Sequence, residues 1–319
     1  MKNKLTLCAA LCALCALIFS SARVLQSARD ALALCAGLIL PSRFPFFVLS
    51  VLLGKLRLPQ LLASRLAPAA QLFGVSGAGL SALLVGLCGG YPLGAACAAD
   101  LLREGVIDVE EAETLLAFCN NSGPAFLIGA VGTGVFSSPA AGLLLYLSHI
   151  LAAVLTGLLL RRRQIGKHNS VYIESNIKFY VAFVFAVREA VGAVLTVCGF
   201  IVCFSVLSGL LDAWGLFACA EKLVSPTGLE TQVVRALLCG FLELGGGVGA
   251  MRGLALTPGH LALASALVGW GGVSVHCQTA AVLCDAELSL RRHLLGRLMS
   301  AAVSAALSYA AALALLPVL

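Results

Sequence analysis

Residues 114–136, TLLAFCNNSGPAFLIGAVGTGVF, decide the fold. The segment is long and apolar enough to cross a bilayer, whose hydrocarbon core of ~30 Å requires about 20 apolar helical residues. Its middle, however, reads NNSGP at residues 120–124, and proline removes a backbone donor and interrupts a helix. Unpaired backbone groups survive at membrane depth only where protein or an aqueous cavity covers them. The segment therefore predicts a broken transmembrane helix inside a bundle.

The composition of the whole chain agrees with a membrane protein. Of the 319 residues, 60% are hydrophobic and 11% are charged, and the mean hydropathy is +1.01, whereas a soluble domain is about 25% charged. Further apolar runs occupy residues 31–54, 73–99, 139–160, 190–211, 233–250, 261–283 and 294–316. We predict an all-α polytopic membrane protein with a single membrane domain, 1–319.

This domain divides into four regions. Spanning or interfacial helices are expected at 1–70, a first repeat at 73–163, a linker with connecting helices at 164–232, and a second repeat at 233–316. The apolar run at 5–19 has the form of a cleaved signal peptide and equally of an uncleaved first helix.

The run at residues 31–54 is interrupted by Pro41 and Pro45, with Arg43 between them. An arginine at membrane depth is costly. Either the segment dips and returns as two half-helices, or Arg43 faces a protein interior or the interface.

The charges indicate orientation rather than a nucleic-acid surface. The net charge is +6, and basic residues collect between apolar runs, most strongly in the three arginines at 161–163. Such clusters mark cytoplasmic loops. The acidic residues between 100 and 113 are interpreted as a solvated helix face.

The thirteen cysteines are odd in number and lie mostly inside apolar runs, which disfavours a disulfide framework. Cys12 and Cys15 form a CxxC motif without acidic or histidine neighbours, so we expect neither a metal site nor a cofactor.

The two halves of the chain are similar after a shift of 151 positions (238 − 87). The identities are Leu87/Leu238, Cys88/Cys239, Gly89/Gly240, Leu93/Leu244, Gly94/Gly245 and Ala99/Ala250. The basic cluster follows the last span of the first half but precedes that of the second half. Equivalent helices would then cross in opposite directions, as in the inverted repeats of many transporters. We expect the breaks at 88–94, 120–124, 243–249 and 269–276 to converge near the midplane.

Several motifs resemble the sporulation integral membrane protein YlbJ family, which carries the Gate, or nucleoside-recognition, domain. They are PSRFPFF at 41–47, GGYPLGA at 89–95, EAE at 111–113, FCNNSGPAF at 118–126 and PAAGLLLYLSH at 139–149. Arg43 departs from the family, which is usually apolar there. The resemblance implies a role in spore formation and a location in the cell membrane or a forespore membrane of a bacterium. It also implies a plan similar to concentrative nucleoside transporters: re-entrant hairpin, broken helix and spanning helix, repeated in inverted orientation.

The candidate substrate-binding residues come from the breaks. Asn120, Asn121 and Ser122 can bind a solute through amides and hydroxyl, or cap the two half-helices. The other substrate-binding candidates are Gly89, Gly90, Tyr91, Gly246, Trp270, Ser274, His276 and Gln278. Tyr91 and Trp270 would stack on a planar ligand, or simply pack.

Glu243 is the acidic residue placed most deeply in an apolar run, which makes it a functional candidate. It would bind a coupling Na⁺ or take up a proton, unless it pairs with Arg235 or Arg252. His149 lies in a span and is more typical of a structural group.

The sequence lacks a Walker loop, a zincin motif and a spacing that assigns a catalytic triad, so we do not expect an enzyme. A permease for a small polar solute is the favoured function. A non-transporting scaffold for spore cortex or coat is the alternative, and an intramembrane enzyme acting on a lipid-linked precursor is a third reading. The expected partners are the bilayer, the solute, and Na⁺ or H⁺. A homo-oligomer is left open, and no nucleic acid is expected.

Overall fold

The computed structural model describes Leu7 and residues 15–161, 177–286 and 288–315, and every regular element in these ranges is helical. Most of the predicted segment 5–19, the last two residues of the predicted first repeat (162–163) and residues 164–176 of the predicted linker lie outside the described residues. Five helical segments are long and apolar enough to cross a membrane: Ser21–Lys55, Pro139–Leu159, Phe179–Ala213, Pro258–Leu283 and Arg291–Leu315. The bent pair Leu58–Phe73 and Gly77–Gly89 is a sixth candidate. This architecture agrees with the predicted polytopic membrane protein.

The first span is continuous through its prolines. Helix α1 (Ser21–Leu34), a π-helix (Cys35–Ile39) and helix α2 (Leu40–Lys55) form one segment of 35 residues. The Leu40 amide donates to the Cys35 carbonyl, so a widened turn precedes Pro41. Single π turns absorb irregularities within helices. The alternative of two half-helices is therefore wrong, and Arg43 instead faces the protein interior.

A connecting helix, α3 (Leu58–Phe73), and then the first hairpin, formed by α4 (Gly77–Gly89) and α5 (Leu93–Arg103), follow the first span. Helix α3 meets α4 at an angle of 86°. The chain reverses at Gly90, where φ is +85°, passes a cis Tyr91–Pro92 bond, and continues as α5. Arg57, just before α3, pairs with Glu104, just after α5.

The rest of the first half is a broken span and an intact one. Helix α6 (Val109–Leu116) gives way to non-helical backbone from Asn120 to Gly123, and the chain resumes as a π-helix (Ala125–Thr133). Helix α7 (Pro139–Leu159) then returns across the bundle. The break lies where NNSGP predicted it.

The second half contains similar parts. Helices α8 (Phe179–Ala213) and α9 (Leu216–Val224) lead to a hairpin of α10 (Thr231–Leu242) and α11 (Leu244–Gly249), which turns at Glu243. The broken span comprises α12 (Pro258–Trp270) and α13 (Gly272–Leu283), separated by Gly271 at φ +87°. Helix α14 (Arg291–Leu315) is the last span and packs against α12 and α7.

One end of the bundle, called here the Arg292 face, is held by contacts between elements distant in sequence. Arg292 donates to the Thr114 hydroxyl (2.8 Å), and Arg103 donates to the Val282 carbonyl (3.0 Å). The Arg57–Glu104 pair lies at the same end as Arg103. Hairpin α4–α5 therefore enters the bundle from the Arg292 face and returns to it.

The other end, called here the Arg252 face, carries both ends of the second hairpin. Gln232 at the start of α10 donates to the carbonyls of Ala250 (2.9 Å) and Arg252 (2.6 Å). One turn later, Arg235 pairs with Asp212 at the end of α8 (3.1 Å). A helix rises ~1.5 Å per residue, so the 35 residues of α8 extend over roughly 50 Å and end at the Arg252 face.

The acidic run at 100–113 does more than solvate a helix face, which corrects the sequence interpretation. Glu111 is 1% exposed and accepts a hydrogen bond from the Ser76 amide (2.7 Å). Glu113 accepts from the Ser289 amide (3.0 Å). These carboxylates fasten α6 to the start of α4 and to the segment before α14, because backbone amides that are buried must be paired.

Candidate functional site

Arg297 occupies the centre of a polar cluster inside the bundle. It lies on α14, is 0% exposed, and donates from Nη2 to Asn121 Oδ1 (3.2 Å). Its Nε and Nη1 have no hydrogen-bond partner, and the Tyr91 side chain lies beside the guanidinium. It pairs with no carboxylate among the described residues. A guanidinium stays charged in proteins, so this is a buried cation without a counter-ion.

The first break supplies amide and hydroxyl groups to this cluster. Asn120 donates from Nδ2 to Thr279 Oγ1 (2.8 Å), and Asn121 donates from Nδ2 to the Phe118 carbonyl (2.7 Å). The Ser122 amide donates to His149 Nε2 (3.1 Å). No side chain caps the π-helix Ala125–Thr133, whose N-cap is Pro124, so the capping interpretation is wrong for the second half-helix. Asn120 Oδ1 and Ser122 Oγ remain without partners.

The second broken span reaches the same cluster through α13. Gln278 donates to Ser274 Oγ (3.2 Å), and its Oε1 has no partner. His276 Nδ1 lies 3.1 Å from His293 Nε2 on α14, one turn before Arg297. The breaks at 120–124 and 269–276 thus lie against one another across α14.

The tip of the first hairpin approaches the cluster from another side. Arg43 donates from Nη1 to the Tyr91 carbonyl (2.7 Å), and the Tyr91 hydroxyl donates to the Val268 carbonyl. Gly89 borders a cavity of about 10 Å³ beside Arg43, and a Cβ at Gly90 would lie 3.1 Å from the Gly123 nitrogen. The hairpin tip and the first break are therefore in backbone contact, which small residues permit between membrane helices.

Glu243 lies at the tip of the second hairpin. It is 4% exposed and accepts from the amides of Gly245 (Oε1, 2.8 Å) and Gly246 (Oε2, 2.6 Å). Arg235 instead pairs with Asp212 and Glu221, so the predicted alternative of a Glu243–Arg235 pair is wrong. Glu243 forms no ion pair with Arg252 either.

Two cavities meet Glu243. A cleft of about 810 Å³ runs between α1, α8, the second hairpin and the π-helix Ala125–Thr133, and Glu243 and Gly246 line it together with Arg252. On its other side, a cavity of about 20 Å³ is bordered by Arg43, Glu243 and Gln278. Because Arg252 lines the 810 Å³ cleft, this cleft extends toward the Arg252 face.

The two aromatic candidates are already in contact with protein groups. Trp270 donates from Nε1 to the Phe241 carbonyl (3.1 Å), and its ring stacks on Phe241 with the centroids 5.6 Å apart. The His276 ring meets it edge-on at 4.3 Å. Tyr91 is 0% exposed. Stacking of Tyr91 or Trp270 on a planar ligand stays a prediction, and it would require these contacts to open.

The comparison with curated proteins finds one relative that extends over most of this chain. The Sporulation integral membrane protein YlbJ of Bacillus subtilis (strain 168) is 28% identical over 310 aligned residues, covering 88% of this chain and 75% of the relative. This similarity supports membership of the YlbJ family. No family model matches it, and no solved structure matches it. The protein is therefore an integral membrane protein similar to YlbJ, as its motifs predicted.

Sequence reasoning missed Arg297, Thr279 and His293 as members of the polar cluster. Arg297 was interpreted only as one of the basic residues that orient the last span. Its position three residues into the apolar run 294–316 was the available signal, since a charge within a span is a functional candidate. Thr279 and His293 carried no such signal.

The described residues contain no group of three or more His, Cys, Asp or Glu side chains that could hold a metal ion. His276 and His293 form only a pair. The site therefore offers one cation at Arg297, a second at Arg43, amide and hydroxyl groups, and one carboxylate at Glu243.

Proposed function

We propose that this protein is a permease that moves a small polar anion through the Arg297 cluster during bacterial spore formation. The observation that carries the proposal is a guanidinium that is fully buried among spanning helices with two of its nitrogens unpartnered. A charge in that position is costly unless something pairs with it. A solute carboxylate or phosphate would supply the missing acceptors, because guanidinium forks match such groups. The role in spore formation is taken from the name of the Bacillus subtilis relative.

The architecture proposed for this function is an inverted repeat similar in plan to concentrative nucleoside transporters. Its support is the course of the hairpins: α4–α5 enters from the Arg292 face, and α10–α11 enters from the Arg252 face. Each hairpin tip also touches the broken span of its own half. A Cβ at Gly123 would lie 3.1 Å from the Cys88 carbonyl, and one at Gly272 would lie 3.1 Å from the Gly240 carbonyl. Breaks that line a site between two inverted halves are typical of transporters.

Reporter fusions test this topology. We expect reporters placed after residue 163 and near Arg292 to be cytoplasmic, because Leu160 and Leu288 pack in the same cluster at the Arg292 face and basic segments face the cytoplasm. A fusion near Arg252 serves as the control and should give the opposite location. Opposite locations for the first two fusions would contradict the inverted repeat.

Solute binding is tested by thermal unfolding of the purified protein in detergent with nucleosides, nucleobases, amino acids, organic acids, phosphate and sodium. A ligand present at ~100 times its Kd stabilises the folded state by about 2.7 kcal/mol, which is readily measured. We expect an anion to raise the melting temperature, and Asn121→Ala to abolish that response because its Oδ1 holds the Arg297 guanidinium.

Ser81→Ala is the matched control. Ser81 is a buried hydroxyl on α4 that donates to the Ala78 carbonyl (2.6 Å), away from the cluster. It should leave the ligand response unchanged. An undiminished response in Asn121→Ala would remove the Arg297 cluster as the site. If no compound stabilises the wild-type protein, the scaffold function becomes the better explanation.

A further inference from the structure

Glu243 is the buried carboxylate that the anion site does not use, and its surroundings restrict what it can bind. Both carboxylate oxygens accept backbone N–H groups, at 2.8 Å and 2.6 Å. The group lies between the 810 Å³ cleft and the 20 Å³ cavity. It is therefore reachable by water on one side while remaining 4% exposed.

The charged and titratable groups facing Glu243 come from several elements. Arg43 from α2 borders the small cavity with it, and Asp30 from α1 and Arg252 beyond α11 line the cleft. Cys239 from α10 lines the cleft, and Cys35 from the π-helix Cys35–Ile39 is close enough to interact electrostatically. Helix α8 contributes the neutral hydroxyls of Ser205 and Ser208, and α13 contributes the neutral amide of Gln278. Arg43 is thus the cation on the buried side.

We propose that Glu243 is the proton carrier of the transport cycle, so that the coupling ion is a proton and not sodium. This inference rests on the proposed permease function and names the ion of the same machinery. In each cycle, the Glu243 carboxylate takes a proton from water in the cleft and becomes a neutral carboxylic acid. It later returns the proton to water, and no other bond is made or broken.

Sodium is disfavoured by the groups that surround the carboxylate. Coordination of Na⁺ in transporters uses oxygen ligands such as unwound backbone carbonyls. Here both carboxylate oxygens already accept backbone N–H groups, from Gly245 and Gly246, which leaves fewer lone pairs to coordinate a cation. The Arg43 guanidinium would repel Na⁺ further. A proton requires only one free lone pair, and each carboxylate oxygen that accepts one N–H retains one.

A physical link joins Glu243 to the anion site. The 20 Å³ cavity has room for about one water molecule and is bordered by Glu243, Arg43 and Gln278, whose Oε1 is unpartnered. The next residue, Thr279, accepts from Asn120, which precedes the Arg297 partner Asn121. Protonation removes the negative charge that faces Arg43, and Arg43 donates to the tip of the first hairpin at Tyr91. The two hairpins are thereby coupled electrostatically.

Infrared pH titration of the full-length protein in lipid vesicles tests the proposal without any solute. The carbonyl-stretch band of a protonated buried carboxylic acid should grow as the pH falls, and Glu243→Gln should lose that band completely. Replacing potassium chloride by sodium chloride should leave the titration unchanged. Glu111→Gln is the matched control, since Glu111 is also a buried carboxylate that accepts a backbone amide. It should retain the Glu243 band.

Two results would overturn the proposal. One is an infrared spectrum of Glu243→Gln that retains the carbonyl-stretch band of the wild-type protein. The other is a sodium-dependent change that Glu243→Gln abolishes, which would make Glu243 a sodium ligand. If Glu243→Gln does not fold, Glu243→Asp replaces it and should shift the band in frequency. Failure of the permease function would appear separately, as the absence of any solute-induced stabilisation, and would leave the infrared result intact.

Discussion

Arg297→Met should abolish the response to the anionic solute and, in the same protein, raise the melting temperature of the solute-free form. Truncating one partner of a buried, hydrogen-bonded charge pair typically costs about 2–5 kcal/mol of binding free energy, which corresponds to a loss of about 30-fold or more in affinity. Arg297 is 0% exposed and already holds the Asn121 amide oxygen. A solute that pairs with it would thus lose its principal charge contact.

The opposite effect on stability follows from the solute-free geometry. Nε and Nη1 of Arg297 are buried without partners, and a buried charge without a counter-ion destabilises the fold. Even a whole buried ion pair can often be replaced by apolar side chains of similar volume with a neutral effect or a stabilisation of about 1–4 kcal/mol. If Arg297 served only in packing, its replacement would instead lower the melting temperature of the solute-free protein.

The measurement is thermal unfolding in detergent with and without the anion found in the screen. Arg292→Met is the control on the same helix, since Arg292 is partly buried at the Arg292 face and bonds the Thr114 hydroxyl. It should retain the ligand response. Arg297→Lys keeps a charge but not the planar fork, so it should bind more weakly than wild type and more tightly than Arg297→Met. Wild-type binding by Arg297→Met would refute the assignment of the anion site.

Gly86→Ala should strongly destabilise the protein, although alanine is the better helix former. In a helix interior, glycine is normally about 0.8–1.0 kcal/mol less favourable than alanine. A Cβ at Gly86, however, would lie 1.8 Å from the Cys119 carbonyl oxygen, and Gly94 on the other arm of the hairpin approaches the same oxygen. Since the obstacle is backbone, α4 would have to move away from the first break. Overpacking of this kind typically costs about 1–3 kcal/mol.

Gly192→Ala provides the matched control for Gly86→Ala. Gly192 lies inside α8 and a Cβ there would meet nothing within 4 Å, so the helix preference should dominate and stability should hold or rise. The unfolding temperatures of both variants in detergent decide the matter. Equal melting of Gly86→Ala and wild type would show that the first hairpin does not pack on the break as described.

Much of the fold was predictable because the bilayer imposes a simple rule on the sequence. Spanning helices require long apolar runs, and the segments found as α7, α12–α13 and α14 coincide with such runs to within a few residues. The break at 120–124 was predictable because Pro124 cannot continue a helix. The continuity of the segment Ser21–Lys55 was not predictable from Pro41 and Pro45, since a π turn upstream depends on packing against α8.

The sequence predicted which helix breaks form the site, but it did not predict the hydrogen bonds between their side chains. Asn121 and Glu243 were identified because polar groups in apolar runs stand out. Their partners were not, because Asn121 bonds Arg297, 176 residues away along the chain, and Glu243 bonds the amides of its own hairpin. The pairing of Glu243 with Arg235 was a reasonable prediction from spacing and was wrong, since Asp212 and Glu221 take that arginine.

The sequence by itself determined three things: that the chain is a membrane protein, at which residues its helices are broken, and which family it resembles. These properties follow from local composition, since hydrocarbon tolerates only apolar side chains and paired backbone. Only the tertiary structure decided which polar groups meet. It placed Arg297 against the first break without a carboxylate, and it turned the Glu243 oxygens toward two backbone amides. The physical reason is that a buried charge takes its character from its neighbours in space, and helices packed from distant parts of the chain supply those neighbours.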